Sequence, residues 1–371
     1  MPSVSKIWVK GFKSIAEMEL SLGSLNVMIG ANGAGKSNLI SVFKFLDQIV
    51  NGRLQLYVAE RGGADRLLHH GGKQTKAIEL CFGFGQNAYQ VKLTPAIGDA
   101  LIFEYETIYY HNSSKFPEPM PIQIGQGNKE SNLIDTAGTT GSGKRVAQYI
   151  LDAISNWTVY HFHDTSDSAP SKKIGDIDDN RFFRPDAANL APFLYRLKNT
   201  NLSVNTSAYQ DIVETIRLVA PFFEDFILEP SRNNPEKIKL EWKQKGSDAY
   251  FDAFSLSDGT LRFICLATLL LQPQYLLPSL VLLDEPELGL HPYAITLLAE
   301  MLQAATTRTQ VLVATQSVTL LNQFLPEQII VAENDGVKTS FRKLPLEDLT
   351  GWKDDYSLGD LWEKNIIGGR P

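Results

Sequence analysis

The chain has 371 residues, of which 43% are hydrophobic and 21% are charged, and its formal net charge is −7. This length suits about two domains, and the composition is that of a globular protein rather than a disordered one. Because the net charge is negative, the chain has no general attraction to nucleic acid, and any contact with DNA requires a local basic patch.

The residue pattern also indicates where the protein works. The most apolar stretch, 261–283, is interrupted by glutamines and prolines, so it predicts a helix, a turn and a buried strand rather than a membrane span. Residues 1–10 alternate like a strand and do not resemble a secretion signal. Cys81 and Cys265 are distant in sequence and are expected to be buried thiols. We therefore expect a cytoplasmic protein that does not bind a membrane.

The chain opens with a strand, a glycine-rich turn and a helix. Apolar periodicity predicts strands at 4–10 and 20–29, the second of which ends in an apolar run. Residues 30–35 are glycine-rich, and apolar residues recur on one face of a predicted helix at 36–50. Strand, glycine loop and helix follow in the order that a nucleotide-binding α/β fold requires.

The signals in the middle of the chain are weaker. Residues 52–76 are polar and glycine-rich and predict a loop, whereas the alternation at 77–110 predicts antiparallel strands. Residues 111–144, rich in Pro, Gly, Asn, Ser and Thr, predict a long linker or surface loop. The elements predicted next are helices at 145–156, 189–198 and 207–219 and strands at 157–162 and 227–242. From residue 254 onward the pattern is again that of an α/β fold.

One segment matches the phosphate-binding pattern G-x-x-x-x-G-K-[S/T] in full, and it consists of Gly30, Ala31, Asn32, Gly33, Ala34, Gly35, Lys36 and Ser37. Its glycines allow successive backbone N–H groups to point inward at a phosphate. Lys36 supplies a positive charge to the β- and γ-phosphates, and the Ser37 hydroxyl coordinates Mg²⁺. The helix that begins there, with Asn38 in its first turn, directs its positive end at the same anion. This loop therefore predicts binding of ATP and Mg²⁺.

A second segment, 138–144, also satisfies G-x-x-x-x-G-K. Arg145 stands where the metal-binding hydroxyl would be, and residues 131–137 do not form a buried-strand pattern. We therefore expect a flexible linker at 138–144 and no ATP binding there.

A carboxylate pair follows a buried-strand pattern later in the chain. Residues 280–283 are apolar, and Asp284 and Glu285 come directly after them. This fits a central parallel strand whose carboxyl end reaches the ligand crevice. Such a string also occurs at ordinary strand edges, but the phosphate loop favours the functional interpretation. Asp284 would then hold the Mg²⁺ shell, and Glu285 would polarise the attacking water.

Four segments resemble a known group of proteins. Residues 254–260, FSLSDGT, resemble the signature loop of ABC-type ATPases in the branch that includes the SMC, RecF and OLD-family ATPases. Residues 9–15, VKGFKSI, are similar to the N-terminal strand motif of that branch. Residues 284–292, DEPELGLHP, look like the Walker B and D-loop of its small stand-alone AAA-family ATPases, and residues 358–371 are similar to their tail.

The resemblance implies an α/β P-loop NTPase, namely an ABC-type ATPase head with an antiparallel β subdomain and a helical or loop insertion. Residues 1–110 would be the N-terminal part of the head, and 111–250 a linker and mostly helical insertion. Residues 251–371 would be the C-terminal part, with the signature, Walker B, D-loop and switch.

The resemblance also implies a homodimer in which two heads enclose two ATP molecules. Lys36 and Ser37 of one copy would face Ser257 and Gly259 of the other across the γ-phosphate. Ser257 and Gly259 also fit a helix N-cap followed by a turn glycine, and this alternative is compatible with a phosphate contact.

Two positions depart from the pattern of that group. After the predicted strand at 310–314, Gln316 stands where the group usually has a switch histidine. Its amide donates a hydrogen bond but carries no charge, so we expect slower or differently coupled hydrolysis and no pH response from this position. His163 is the best candidate for the place of the Q-loop glutamine near Mg²⁺. His161 and His163 lack a third ligand at a readable spacing, so a plain surface role is the alternative.

The sequence thus predicts a Mg²⁺-dependent ATP hydrolase that acts as a dimerising switch in DNA repair or maintenance, or in anti-phage defence. A nuclease-like effector, where needed, is expected to be a separate partner protein. The alternative is an ATP-binding scaffold with little turnover. DNA binding stays open, because two basic clusters could form local patches, although most such clusters are simply solvated surface. These clusters are Arg53, Arg61, Arg66 and Lys73, and Lys172, Lys173, Arg181 and Arg184.

Overall fold

The computed structural model describes residues 3–111, 114, 117–141, 143–344, 349 and 356–370. The chain divides into two compact units. The first consists of Met1–Trp157 with Leu325–Pro371, and the second is Thr158–Phe324.

The helices and strands up to residue 154 are β1 (Lys6–Phe12), β2 (Ile15–Ser21), β3 (Leu25–Ile29), α1 (Lys36–Val50), α2 (Leu54–Glu60), β4 (Ile78–Phe84), β5 (Asn87–Ala96), β6 (Ala100–Tyr110), β7 (Met120–Gly125), α3 (Leu133–Gly138) and α4 (Lys144–Ile154). Those from 157 to 321 are β8 (Trp157–Tyr160), β9 (Gly175–Asp176), α5 (Leu190–Lys198), α6 (Ser203–Val219), β10 (Phe223–Ile227), β11 (Lys237–Ile238), β12 (Glu241–Gln244), β13 (Tyr250–Asp252), α7 (Asp258–Leu271), β14 (Leu280–Asp284), α8 (Pro292–Ala305), β15 (Gln310–Thr315) and α9 (Val318–Leu321). The remaining ones are β16 (Ile329–Asn334), β17 (Thr339–Lys343) and α10 (Leu358–Glu363).

An antiparallel sheet in the first unit has the strand order β2-β1-β4-β5-β6-β7. Alternate residues of β4 are buried, as expected for a sheet with one face against the core. Helix α1 contributes Phe43, whose ring lies 5.8 Å from Phe82 of β4 and 5.3 Å from Trp157, centroid to centroid. This aromatic cluster packs the helix that follows the glycine loop against a rigid sheet.

The strand that precedes the glycine loop is buried along its whole length. All five residues of β3 are buried, which suits a parallel strand covered on both faces. It pairs in parallel with β16, with Val27 opposite Ile329, and β16 pairs antiparallel with β17. The loop after Ile29 therefore begins from a fixed strand end.

The second unit contains the parallel pair β14 and β15, in which Asp284 lies opposite Ala314. Every residue of α7 from Leu261 to Leu270 is buried, so this helix is enclosed rather than amphipathic. Two small antiparallel sheets, β10-β12-β13 and β9-β11, complete the unit. The register of β14 and β15 brings their carboxyl ends to one edge.

Two predicted loops contain regular structure. In 52–76, Leu54, Tyr57 and Val58 are buried at helical spacing, and α2 forms around them. In 111–144, β7 adds an edge strand to the antiparallel sheet and α3 follows it. Among the described residues, no helix combines the length and hydropathy that crossing a membrane requires.

Candidate functional site

The glycine loop in the first unit has a backbone shape that few residue types can adopt. Gly33 has φ +80° and Gly35 has φ +103°, both in the left-handed region. A Cβ atom on Gly35 would lie 2.4 Å from Thr339 Oγ1, so a side chain there has no space. Ala34 is buried, whereas Asn32 and Gly33 are exposed. The loop thus forms the open cradle of backbone groups that a phosphate chain needs.

Lys36 lies over this loop. Its side chain is buried, and Nζ donates hydrogen bonds to the carbonyl oxygens of Gly30, at 2.6 Å, and Ala31, at 3.1 Å. Ser37 is exposed in the first turn of α1, where the helix end is positive. The Lys36 ammonium, the Ser37 hydroxyl and the start of α1 therefore lie close together.

The turn between β1 and β2 supports the start of α1. Ser14 Oγ accepts hydrogen bonds from Asn38 Nδ2 and from Thr339 Oγ1, each at 2.7 Å. The Thr339 backbone N–H donates to the Ser14 carbonyl oxygen at 2.8 Å. Asn38 thus ties the helix to the 9–15 segment, which gives that sequence motif a positioning role.

The second G-x-x-x-x-G-K segment has a different shape. Gly138 ends α3, so a helix rather than a strand precedes it, and Ser142 lies outside the described residues. Gly143 is in the right-handed helical region, with φ −72°, unlike Gly35. This geometry does not provide the left-handed glycine that precedes Lys36.

In the second unit, the acidic pair lies at the end of β14. Asp284 is half-buried as the last residue of the strand. Glu285 follows it with φ +44°, a left-handed conformation that is uncommon for residues other than glycine. The Glu285 backbone N–H donates to the Ala314 carbonyl oxygen at 2.7 Å. Such strain at a charged residue is typical of functional sites.

Gln316 contacts Glu285 directly. Its Nε2 donates a hydrogen bond to Glu285 Oε1. The two residues lie side by side because Asp284 pairs with Ala314, and Glu285 and Gln316 follow the ends of β14 and β15. The amide therefore orients the carboxylate without adding a charge. The structure thus brings Asp284, Glu285 and Gln316 together at the carboxyl ends of β14 and β15.

Glu287 is a residue of this site that sequence analysis missed. It is buried, and Oε1 accepts hydrogen bonds from Thr315 Oγ1 and from the Gln316 backbone N–H. Among the described residues, Oε2 has no hydrogen-bond partner. Burial, with a smaller effect of Glu285, raises the pKa of the Glu287 carboxyl. Glu287 therefore fixes the backbone from which the Gln316 side chain extends.

We expect the free energy of unfolding of Glu287→Gln to exceed that of wild type by an amount that grows as pH rises. Because the folded-state pKa is raised, the folded chain binds more protons than the unfolded chain, so Glu287 costs stability once pH exceeds the ordinary glutamate value of about 4.3. The neutral amide removes this cost, so the stability of the variant relative to wild type should grow as pH rises above that value. Urea midpoints between pH 5 and 8 test this, with Glu300→Gln on exposed α8 surface as the control. Parallel pH profiles for wild type and Glu287→Gln would contradict it.

The signature segment begins α7. Ser257 is the N-cap, and its Oγ accepts a hydrogen bond from the Thr260 backbone N–H at 3.2 Å. A Cβ atom on Gly259 would lie 2.5 Å from the carbonyl oxygen of Gly289, so the two backbones approach closely. Within this chain, Ser257 therefore acts as the N-cap of α7. Its side chain is also exposed, so it is accessible to a phosphate contact.

Arg262 is a second residue that sequence analysis missed. Its guanidinium is buried and donates hydrogen bonds to the carbonyl oxygens of Phe162, at 2.9 Å, of His163, at 3.1 Å, and of Leu288. Burial lowers the pKa of Arg262. This side chain connects the signature helix, the D-loop and the 161–163 segment.

His163 itself is exposed, and its ring lies 6.2 Å from that of His161, centroid to centroid. Across the described ranges, no group of three or more His, Cys, Asp or Glu residues is arranged to hold a metal. The role of His163 near Mg²⁺ stays a prediction.

A buried strand, a left-handed glycine loop with its lysine, and a strand that ends in an acidic pair define a P-loop NTPase of the ABC-type ATPase class. The family described as "AAA domain, putative AbiEii toxin, Type IV TA system" matches residues 25–322. This match covers more than half of the chain, and the chain belongs to that family. A comparison with curated proteins finds no match.

Solved structures of SMC heads share the fold. An SmcHead bound to the C-winged helix domain of ScpA is 15% identical with a TM-score of 0.55, and the match covers 94% of this chain and 99% of that chain. An Smc head domain with an extended coiled coil, bound to the C-terminal domain of ScpA derived from Pyrococcus furiosus, is 14% identical with a TM-score of 0.54. That match covers 96% of this chain and 99% of that one. At these identities the likeness shows the fold alone.

Proposed function

We propose that this protein is a Mg²⁺-dependent ATP hydrolase that switches between open and closed dimers. The observation that carries the proposal is the glycine loop, in which Gly33 and Gly35 are left-handed and Lys36 is buried over the loop carbonyl groups. A Cβ atom at Gly35 would collide with the Thr339 side chain, so glycine is required for this loop shape, which suits a phosphate chain. Membership of an AAA family supports ATP as the ligand.

The residues of the chain have separate roles in this proposal. The loop 30–35, Lys36 and Asn38 bind and orient the phosphate chain. Glu285 accepts a proton from the attacking water, and Gln316 holds the Glu285 carboxylate in position through its amide. Ser37 and Asp284 would hold Mg²⁺, with His163 as a further predicted ligand. When bound, the metal would neutralise charge on the phosphoryl oxygens.

The second half of the proposal is the dimer. The Ser257 hydroxyl is exposed at the start of α7, and the helix end and backbone N–H groups there suit an anion. We propose that Ser257 and Gly259 of one copy contact the γ-phosphate held by the other. ATP then closes the dimer, and hydrolysis opens it.

The setting in which this switch works is part of the proposal. We propose DNA maintenance or anti-phage defence, with a separate effector protein. The family description, which names a toxin within a Type IV TA system, supports action together with a second component.

Phosphate release by the purified wild type, with ATP and with or without Mg²⁺, tests the proposal. We expect release that depends on Mg²⁺ and that rises more than linearly with protein concentration in the range where dimers form, because each site is completed by a second copy. Light scattering should show a dimer with ATP and a monomer without nucleotide. ATP binding without phosphate release would instead indicate the scaffold alternative.

A further inference from the structure

A segment far from the glycine loop in sequence lies against it in the first unit. Gly369 has φ +63°, and a Cβ atom there would lie 2.8 Å from Val331 Cγ1 and 3.5 Å from Gly30 Cα. Backbone of the 368–370 segment thus contacts the first glycine of the loop, and only glycine fits at this point.

Two hydrogen bonds to Gly369 and one to the preceding Ile367 hold this segment in place. The Gly369 backbone N–H donates to Glu333 Oε1 at 3.0 Å, and the Gly369 carbonyl oxygen accepts from Trp362 Nε1. Arg342 donates to the carbonyl oxygen of Ile367 at 2.6 Å. Because Trp362 is fully buried in α10, the point from which Arg370 extends is fixed by the core of the unit.

Arg370 and the glycine loop line one cavity. Its volume is about 450 Å³, within the range of small-molecule sites. Residues 31–34, Asn365 and Arg370 are among the residues that line it. Asn334 lines the cavity too, and its Nδ2 donates to the Gly33 carbonyl oxygen at 3.2 Å. The outer part of the loop and a positively charged residue thus line the same cavity.

The Arg370 guanidinium has no polar partner within the part of the chain that the structure describes. There it forms no ion pair or hydrogen bond, whereas the nearby Glu333 is engaged by Gly369 and lies 3.8 Å from Arg342 Nε. A guanidinium presents a planar set of donors that matches a phosphate group. The Glu333 carboxylate also lines the cavity, but Gly369 and Arg342 engage it, so the Arg370 guanidinium makes the cavity suited to an anion.

We propose that Arg370 binds a phosphate group of the nucleotide held by the glycine loop, as a second cation besides Lys36 from the same chain. The inference rests on the proposed ATP-binding function. It gives the 368–370 segment a binding role, because Gly369 allows the close approach and Arg370 provides the contact.

Titration calorimetry of the full-length chain with ATP and with inorganic tripolyphosphate tests this role. We expect Arg370→Ala to weaken binding of both ligands by about tenfold, which is the effect of one charge-assisted hydrogen-bonded contact. Arg370→Lys should lose less, because it keeps the charge without the planar fork. Arg145→Ala, at an exposed arginine of α4 that does not line the cavity, should bind both ligands like wild type.

Tripolyphosphate has no nucleoside, so it separates a phosphate contact from a contact with the base or sugar. An Arg370→Ala variant that binds tripolyphosphate normally would overturn the proposal, whether or not its ATP binding falls. Wild type that binds neither ligand would overturn the proposed function, and this inference with it. Wild type that binds both, with Arg370→Ala equal to it, would overturn this inference alone.

Discussion

Glu285→Gln should lower ATP hydrolysis by about 100-fold or more while leaving ATP affinity within about twofold of wild type. The glutamine side chain has the same shape, and its carbonyl oxygen still accepts the hydrogen bond from Gln316 Nε2. It cannot take a proton from the attacking water, so only the chemical step is lost. Phosphate release and ATP titration on the same preparation measure the two effects separately.

The same substitution reports on the dimer. If hydrolysis opens the dimer, Glu285→Gln in the presence of ATP should accumulate as a closed dimer that light scattering detects. Glu300→Gln, at an exposed glutamate of α8, is the matched control and should hydrolyse ATP like wild type. Wild-type turnover by Glu285→Gln would remove Glu285 as the base, and a monomer with ATP at micromolar protein would count against the two-head arrangement.

The parts of the site that one short segment forms could be predicted from the sequence of that segment. An apolar strand, then glycines, then Lys36 at a helix start specifies the phosphate loop, and Ser257 before Asp258 specifies an N-cap. The family match and the shared fold confirm the ABC-type P-loop class that these motifs indicate. In each case the residues that form the feature lie within one short segment.

Features set by distant residues were not predicted. The sequence assigned no role to Glu287 or Arg262, because it does not show that Thr315 and the Phe162 carbonyl group contact them. A signal was present in each: a second acid beside the Walker B pair, and an arginine in the second turn of a mostly apolar helix. Strand β7 was missed because its pairing with β6, rather than its own composition, makes it a strand.

Lys36→Ala should reduce ATP affinity by about 100-fold, whereas Lys144→Ala should leave it unchanged. The two lysines end the same sequence pattern, G-x-x-x-x-G-K, and both begin a helix. Only Lys36 follows a left-handed glycine and a buried strand, so only its ammonium faces a phosphate cradle. Titration calorimetry with ATP on both variants makes the comparison within one protein, and circular dichroism checks that both fold.

Loop shape, rather than sequence pattern, decides between these two lysines. Lys36 also holds the carbonyl groups of Gly30 and Ala31, so its removal loosens the loop as well as removing a charge. Lys36→Met keeps the apolar stem and should lose affinity nearly as fully as Lys36→Ala, because the charge is what the phosphates bind. Equal losses at Lys36 and Lys144, or a loss at Lys144 alone, would mean that the nucleotide is bound elsewhere than in the loop after β3.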